Sequence, residues 1–231
     1  MHNNKEKKSK EEIILAVETS GRALSAAVSV NGCLVSEITL NCGLVHSEKL
    51  IEIADLVLSK AGYKISDVTK IAACVGPGSF TGIRVGLTFA RTAAQSLKVP
   101  LVGIDAIKIL AAAAPETGCL VYPVIDALRN EVYVPALKSG KPCLSSIEDS
   151  ASALKALNKN ILLLGGGAGV YRDFLKKRLG KKVFFAPENM SRPLAGTLAV
   201  IAHGLRGEYF EKVLPLYIRR SWAEERQKSG K

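Results

Sequence analysis

The run GPGSFTGIRVG at residues 76–86 constrains this chain more than any other feature. It joins an apolar strand expected over 71–75 to an amphipathic helix expected over 81–97. A Gly-rich turn between a strand and a helix either offers backbone N–H groups to an anion or lets two backbones approach closely. The Gly-Lys-Ser/Thr ending of a phosphate loop is absent, and Thr81 stands where G-x-G-x-x-G needs its third glycine. Pro77 removes one N–H from any cradle. Gly82, Gly86 and Ala90 recur every four residues and leave a smooth helix face for another backbone. A packed corner is therefore favoured, with an anion site as the alternative.

At 231 residues the chain holds one large or two small domains, and 48% hydrophobic content excludes disorder for its bulk. No apolar run reaches bilayer length. Residues 1–12 are polar, charged and lack an apolar signal core, so they are expected to be a tail. Five cysteines (Cys33, Cys42, Cys74, Cys119, Cys143), an odd number without C-x-x-C spacing, point to a reduced cytoplasmic protein with neither a disulfide framework nor a zinc site. The net charge of +11 favours polyanionic partners. Lys176, Lys177, Arg178, Lys181 and Lys182 form the densest basic cluster, and Arg219, Arg220, Arg226, Lys228 and Lys231 gather toward a basic tail at 224–231. The first cluster reads either as a solvated helix face or as an RNA contact.

Strands are expected at 13–18, 23–30 and 33–40, the last two flanking Asn31-Gly32, a strong hairpin signal. A helix at 47–61, a strand at 70–75, the Gly-rich corner, a strand at 101–104 and a helix across the alanines at 111–114 follow. The second half echoes this: a hairpin of 121–127 with 131–137, a helix at 150–157 and a strand at 161–164 running into GGGAG (165–169). A helix through Leu179, a strand at 183–185 and a closing helix at 193–205 complete it. Two α/β halves, 13–105 and a smaller 106–223, imply a mixed sheet covered by helices.

The helix at 47–61 has too much apolar surface. Glu48, Glu52, Asp55 and Ser59 fall within a stripe of roughly 60°. Leu50, Ile51, Ile53, Ala54, Leu56, Val57 and Leu58 cover about 220°, whereas a helix serving one core needs little more than about 100°. It is either buried between layers or presents a second apolar face to another chain.

The β-β-β-α-β-α opening, GPGSFTGIRVG after the fourth strand, His46-Ser47-Glu48 at the first helix, Asp126 to Tyr133 (DALRNEVY) and the ending Pro215, Tyr217, Arg219 together resemble the TsaB/YeaZ family. That resemblance implies an actin/Hsp70-like (ASKHA) α/β fold, duplicated, with a shortened second domain. It implies a non-catalytic role in making N6-threonylcarbamoyladenosine beside the anticodon of tRNAs reading ANN codons. The catalytic subunit is then a TsaD-like partner, a TsaE-like ATPase joins the pair, and the chain alone forms a homodimer. ATP and a metal belong to those partner subunits, and no cofactor is expected on this chain. The first two helices form the partner and dimer surface, placed on His46, Leu50, Ile53, Ala54, Val57, Gly82, Arg84 and Val85. Thr19, Ser20, Gly76, Gly78 and Ser79, with Gly165, Gly166 and Gly167, are expected as vestigial nucleotide loops. Transfer RNA is met indirectly, or as an auxiliary contact at the 176–182 cluster, and no membrane is involved.

The residues agree with a non-catalytic reading. Leu50 stands where a His-x-x-x-His metal pair would place its second histidine after His46. Glu18 replaces the aspartate usual at the end of the first strand, which moves the carboxylate by more than about an ångström. Asp126 and Glu131 are expected in turn contacts or salt bridges with Arg129, and Ser20, Ser79 and Thr81 lack a catalytic partner set. Leu128, Asn130 and Pro135 depart from the family; Asn130 tolerates a left-handed backbone, and Pro135 implies an edge strand or an unpaired N–H. The alternative reading is an actin/Hsp70-like ATPase or small-molecule kinase using 18–21, 76–82 and 165–169. Replacing Leu50 or Val57 by Glu is expected to leave the fold intact and abolish pairing.

Overall fold

The computed structural model describes residues 11–41 and 46–219. Strands β1 (Ile13–Glu18), β2 (Leu24–Val30) and β3 (Cys33–Leu40) form an antiparallel meander. The β2–β3 turn has Asn31 at φ 51° and Gly32 at φ 81°, the paired left-handed geometry that Asn-Gly favours. β4 (Lys70–Cys74) and β5 (Leu101–Ile104) add in parallel, giving the order β3-β2-β1-β4-β5.

All six residues of β1 are buried because both faces of the sheet are covered. Alternate side chains serve opposite layers. Leu15, Val17, Ala26, Val28, Ile71 and Ala73 pack with α1 (His46–Lys60) and α2 (Phe80–Leu97). Ile14, Ala16, Ala27, Ala72 and Cys74 pack with α3 (Ala106–Ala113) and with a late helix described below. Helix starts follow their caps. Ser79 Oγ accepts the Gly82 N–H at 3.2 Å, and Asp105 Oδ1 accepts the Lys108 N–H at 2.9 Å, which begins α3 well before the alanine run.

In the second half β6 (Leu120–Pro123), β10 (Ile161–Leu164) and β11 (Val183–Phe185) make a parallel sheet in the order β11-β10-β6. β7 (Ile125–Asp126), β8 (Glu131–Pro135) and β9 (Pro142–Ser146) make an antiparallel one. The hairpin expected from 121–127 and 131–137 is thus divided: β6 joins the parallel sheet and only β7 pairs with β8. β9 carries no strand signal in Pro-Cys-Leu-Ser-Ser; its pairing with β8 creates it. Pro135 closes β8 opposite Pro142, at a strand end where a missing N–H is tolerated. Ser146 Oγ accepts the Asp149 N–H at 3.0 Å, so α4 (Ile147–Ala156) starts earlier than expected. The single helix expected after 165 is two, α5 (Gly166–Val170) and α6 (Arg172–Leu179), broken at Tyr171.

α7 (Ala195–Ile201), shorter than expected, returns to the first sheet and covers β1, β2 and β3 opposite α1. The Ala195 N–H donates to Ser25 Oγ at 2.9 Å and the Gly196 N–H to Glu37 Oε1 at 2.8 Å. The following irregular segment, interrupted by a 3-10 turn at Phe210–Lys212, straps the chain together. Glu208 bridges to Leu101, and the Leu216 N–H donates to Val75 O at 2.7 Å. Arg219 then reaches β8 and the turn before it, where Nη1 donates to Ala127 O at 2.6 Å and Nη2 pairs with Glu131.

Candidate interaction surface and a closed Gly-rich corner

The turn after β1 and the Gly-rich run after β4 meet at the carboxyl ends of adjacent parallel strands. Ligands of open α/β sheets bind at such ends. Thr19, Ser20, Gly76, Gly78 and Ser79 are indeed brought together, but their polar groups are spent on one another. The Ser79 N–H donates to Ser20 O, and the Thr19 hydroxyl donates to Gly82 O, each at 2.7 Å. A Cβ added at Gly78 would overlap Ser20 O, one at Gly82 would overlap Thr19 O, and one at Gly86 would overlap Thr19 Oγ1, all closer than 3.0 Å. The glycines permit backbone contact within the chain. These residues do not fit a phosphate cradle, and the close-packing reading of the motif holds.

Glu18 lies inside this corner. Its carboxylate accepts the Ser20 N–H at 2.8 Å and the Ser20 hydroxyl, beside Cys74 at the end of β4. Burial raises its pKa from 4.5 to about 7, and the Ser20 hydrogen bonds offset only part of that. Burial, with the adjacent Glu18, raises the Cys74 thiol. A carboxylate enclosed in this way is not presented to a cation. Among the described residues, no three His, Cys, Asp or Glu side chains group to hold a metal. The His46 side chain lies outside the described residues.

GGGAG repeats the device in the second half. Gly165 has φ 102°, and a Cβ added there would stand 2.4 Å from Val124 O. The Gly167 N–H donates to Val124 O at 2.9 Å. Gly165 and Gly167 therefore clamp the β10–α5 corner onto the β6–β7 link, while Gly166 faces open space. Asp126 Oδ1 accepts the Leu128 N–H at 2.9 Å and the Tyr171 hydroxyl at 3.4 Å. Leu128, Arg129 and Asn130 all have positive φ (63°, 55° and 61°), which includes the left-handed backbone expected at Asn130. Glu131 pairs with Arg219, correcting the expected Arg129.

A groove of about 600 Å³ lies elsewhere, between Val75, Ile104, Asp105, Ile201, Leu214 and Pro215. It is mainly apolar and includes none of the loop residues above.

The outer faces of α1 and α2 require a correction. Leu50, Ile53, Ala54 and Val57 are buried in the chain's own core, against β2, β3 and α2, and none is available to a partner. They follow the i, i+3, i+4, i+7 spacing of an ordinary core face. The surplus hydrophobics are Ile51 (69% exposed) and Leu56 (41%). Gly82 is buried beneath Thr19, and Val85 is half-buried against the core. Arg84 is exposed: its guanidinium stands 3.8 Å over the Phe80 ring and Nε donates to the Tyr217 hydroxyl at 3.0 Å. Phe80 and Tyr217 stack at 4.6 Å, so the strap is pinned to the start of α2. Counting which apolar positions exceed the core stripe would have found Ile51 and Leu56; nothing in the sequence signals the Arg84–Tyr217 contact.

Lys176, Lys177, Arg178, Lys181 and Lys182 are all exposed, at the end of α6 and in the turn after it. Among the described residues no helix is long and apolar enough to cross a membrane.

The family described as TsaD, tRNA N6-adenosine threonylcarbamoyltransferase, matches residues 42–213. The Escherichia coli tRNA threonylcarbamoyladenosine biosynthesis protein TsaB is 30% identical over 226 residues, 91% of this chain and 96% of that protein. Its Bacillus subtilis namesake is 26% identical over 219 residues with the same coverage. The crystal structure of a Pseudomonas aeruginosa protein described as similar to peptidase YeaZ superposes with a TM-score of 0.73 at 28% identity, over 90% of this chain and all of that one. The actin/Hsp70-like α/β architecture implied by the sequence resemblance is borne out. By sequence match, fold and the position of its Gly-rich corner, the chain belongs to the TsaB/YeaZ family.

Proposed function

We infer that this chain is a non-catalytic subunit in the formation of N6-threonylcarbamoyladenosine in tRNA, acting by docking and activating a TsaD-like catalytic subunit. The observation that carries this reading is the closed corner. Thr19, Ser20, Ser79 and Gly82 satisfy one another, which leaves an actin/Hsp70-like frame without an open phosphate loop. ATP and metal chemistry then belong to the partners, and a TsaE-like ATPase joins the complex in the cytoplasm. The docking face is the outside of α1 and α2, where Ile51 and Leu56 flank polar positions and Arg84 is held in place by Phe80 and Tyr217. Alone, the chain pairs with itself through the same face. That chemistry suits a subunit surface with a few apolar anchors inside a polar rim.

Co-purification with the host's TsaD-like subunit, followed by a tRNA-modification assay with and without this chain, tests the reading. A stable heterodimer whose activity depends on this chain is expected. No complex, together with magnesium-dependent ATP turnover by this chain alone, would overturn it in favour of an ATPase or kinase.

A further inference from the structure

Seven cations converge on one corner of the second half. Lys176, Lys177 and Arg178 end α6, and Lys181 and Lys182 occupy the turn behind it. α4 packs beside α6. Arg178 Nη2 reaches Ser152 Oγ at 3.4 Å, and Lys182 Nζ donates to Asn158 Oδ1 at 2.6 Å. These contacts bring in Lys155 from the last turn of α4 and Lys159 from the loop after it. All seven are exposed. Among the described residues, ion pairs within 4.0 Å form elsewhere and include none of them.

Two structural explanations fall short. Cations near helix C-termini are favourable, but the effect fades beyond the last turn, so it accounts for Lys155 and the α6 residues and not for Lys159, Lys181 or Lys182. A merely solvated helix face interleaves acids with bases at i,i+4. Here Asp173 and Lys177 alone have that spacing on α4 and α6, and they form no ion pair within 4.0 Å; Glu148, Asp149 and Asp173 sit in the first turns, and the seven cations gather at the other end. Crowded like charges repel, and a bound polyanion relieves that repulsion.

Flat groups accompany the charge. Phe174, 37% exposed, precedes Arg178 by one turn on the same flank of α6. The Arg172 guanidinium lies over the Phe185 ring at 4.4 Å. Cationic grooves with exposed rings suit nucleic acid, whose bases stack while its phosphates are neutralised. A bilayer is a poorer fit, because Leu175 is buried and Leu179 packs on the core, leaving α6 one ring and no apolar face.

We propose that the α4–α6 corner docks RNA, taking backbone phosphates on Lys155, Lys159, Lys177, Lys181 and Lys182 and stacking a base on Phe174. This rests on the reading above that the chain works on tRNA; the RNA is then the tRNA awaiting modification, held by this subunit while the partner acts on it.

Fluorescence anisotropy with an unmodified transcript of an ANN-reading tRNA, titrated with the full chain across a salt series, tests the proposal. Affinity should fall linearly with salt on logarithmic axes, and Lys177→Glu with Lys181→Glu should weaken binding at least about tenfold and flatten the slope by about two. Phe174→Ala should weaken binding about fivefold or more with the slope unchanged. Lys60→Glu with Lys64→Glu, an equal charge change on the first half, should leave affinity within about twofold. Equal loss from both charge reversals, no loss from the first, or binding to anionic phosphatidylserine vesicles without binding to the transcript would overturn the proposal. Capture of the TsaD-like subunit, measured on the same variants, separates the two readings. Partner capture with RNA binding indifferent to these substitutions sinks this proposal alone. RNA binding at this corner without partner capture sinks the scaffold reading alone.

Discussion

Thr19 and Gly82 hold each other at a separation only glycine permits. The Thr19 hydroxyl donates to Gly82 O at 2.7 Å, and a Cβ on Gly82 would fall on Thr19 O. The neighbour in that collision is backbone, so it cannot swing aside as a flexible side chain can. Gly82→Ala should therefore lower stability by about 2–3 kcal/mol or more, as overpacked cores do, and Gly78→Val should act similarly through Ser20. Urea unfolding followed by circular dichroism measures this. Unchanged midpoints would show that the corner is looser than its geometry requires.

The two faces of α1 should separate folding from association. Val57 is fully buried, so Val57→Glu places an unpaired carboxylate in the core at a cost of several kcal/mol and should unfold or severely destabilise the chain. This replaces the expectation that Val57→Glu or Leu50→Glu spares the fold. Ile51→Glu with Leu56→Glu changes the exposed face and should leave the melting temperature within about 2–4 °C, the shift that about 1 kcal/mol gives in a domain this size. Its self-association in analytical ultracentrifugation and its capture of the TsaD-like subunit should both be lost. Retained association in a folded Ile51/Leu56 variant would move the docking surface off α1.

Local chemistry made much of this architecture readable. Asn31-Gly32 announced its hairpin, the apolar runs at 13–18 and 161–164 became central strands, and the spacing of Gly82, Gly86 and Ala90 announced close packing. What escaped was set by tertiary pairing. β9 is a strand because β8 offers it an edge, and α7 ends early where the Lys70 ammonium donates to the Ala202 carbonyl at the helix end and to the Leu205 carbonyl beyond it. The residues expected on a partner face differ from the exposed ones for a geometric reason: a wide apolar arc says that a surplus exists, but the sheet decides which residues it covers. Leu50 and Val57 went inward and Ile51 outward.

Glu18 gives the fold a pH dependence whose sign is opposite to that of an ordinary surface carboxylate. Burial raises its pKa from 4.5 to about 7, so the folded state binds a proton more tightly than the unfolded chain does. The stabilisation is complete below about pH 4.5 and is lost as pH rises through about 7, amounting to roughly 3 kcal/mol for this enclosed group. Glu18→Gln keeps an acceptor for Ser20 and removes the titration. The variant should gain on the parent as pH rises from 5 to 8. Urea unfolding at the two pH values checks this; a constant difference between the proteins would place the Glu18 titration outside that window.

Arg219 secures an otherwise strained turn. Its Nη1 donates to Ala127 O at 2.6 Å, its Nη2 pairs with Glu131, and between those residues Leu128, Arg129 and Asn130 all hold left-handed backbone. Non-glycine residues adopt that conformation at a cost of about 1–2 kcal/mol each, so the turn depends on its base being held. The ion pair is partly exposed and worth little by itself, whereas loss of the charged donor to a backbone carbonyl removes about 1.5 kcal/mol or more. Arg219→Ala should therefore loosen the turn locally, with faster hydrogen exchange at the amides of Leu128 and Glu131 and no change in β1 or β4. Leu128→Gly, at a position 67% exposed, should relieve strain in the same turn and restore part of the protection. If exchange at those amides is unaffected by Arg219→Ala, the turn holds itself and the strap serves its contacts with Leu101, Val75, Phe80 and Arg84.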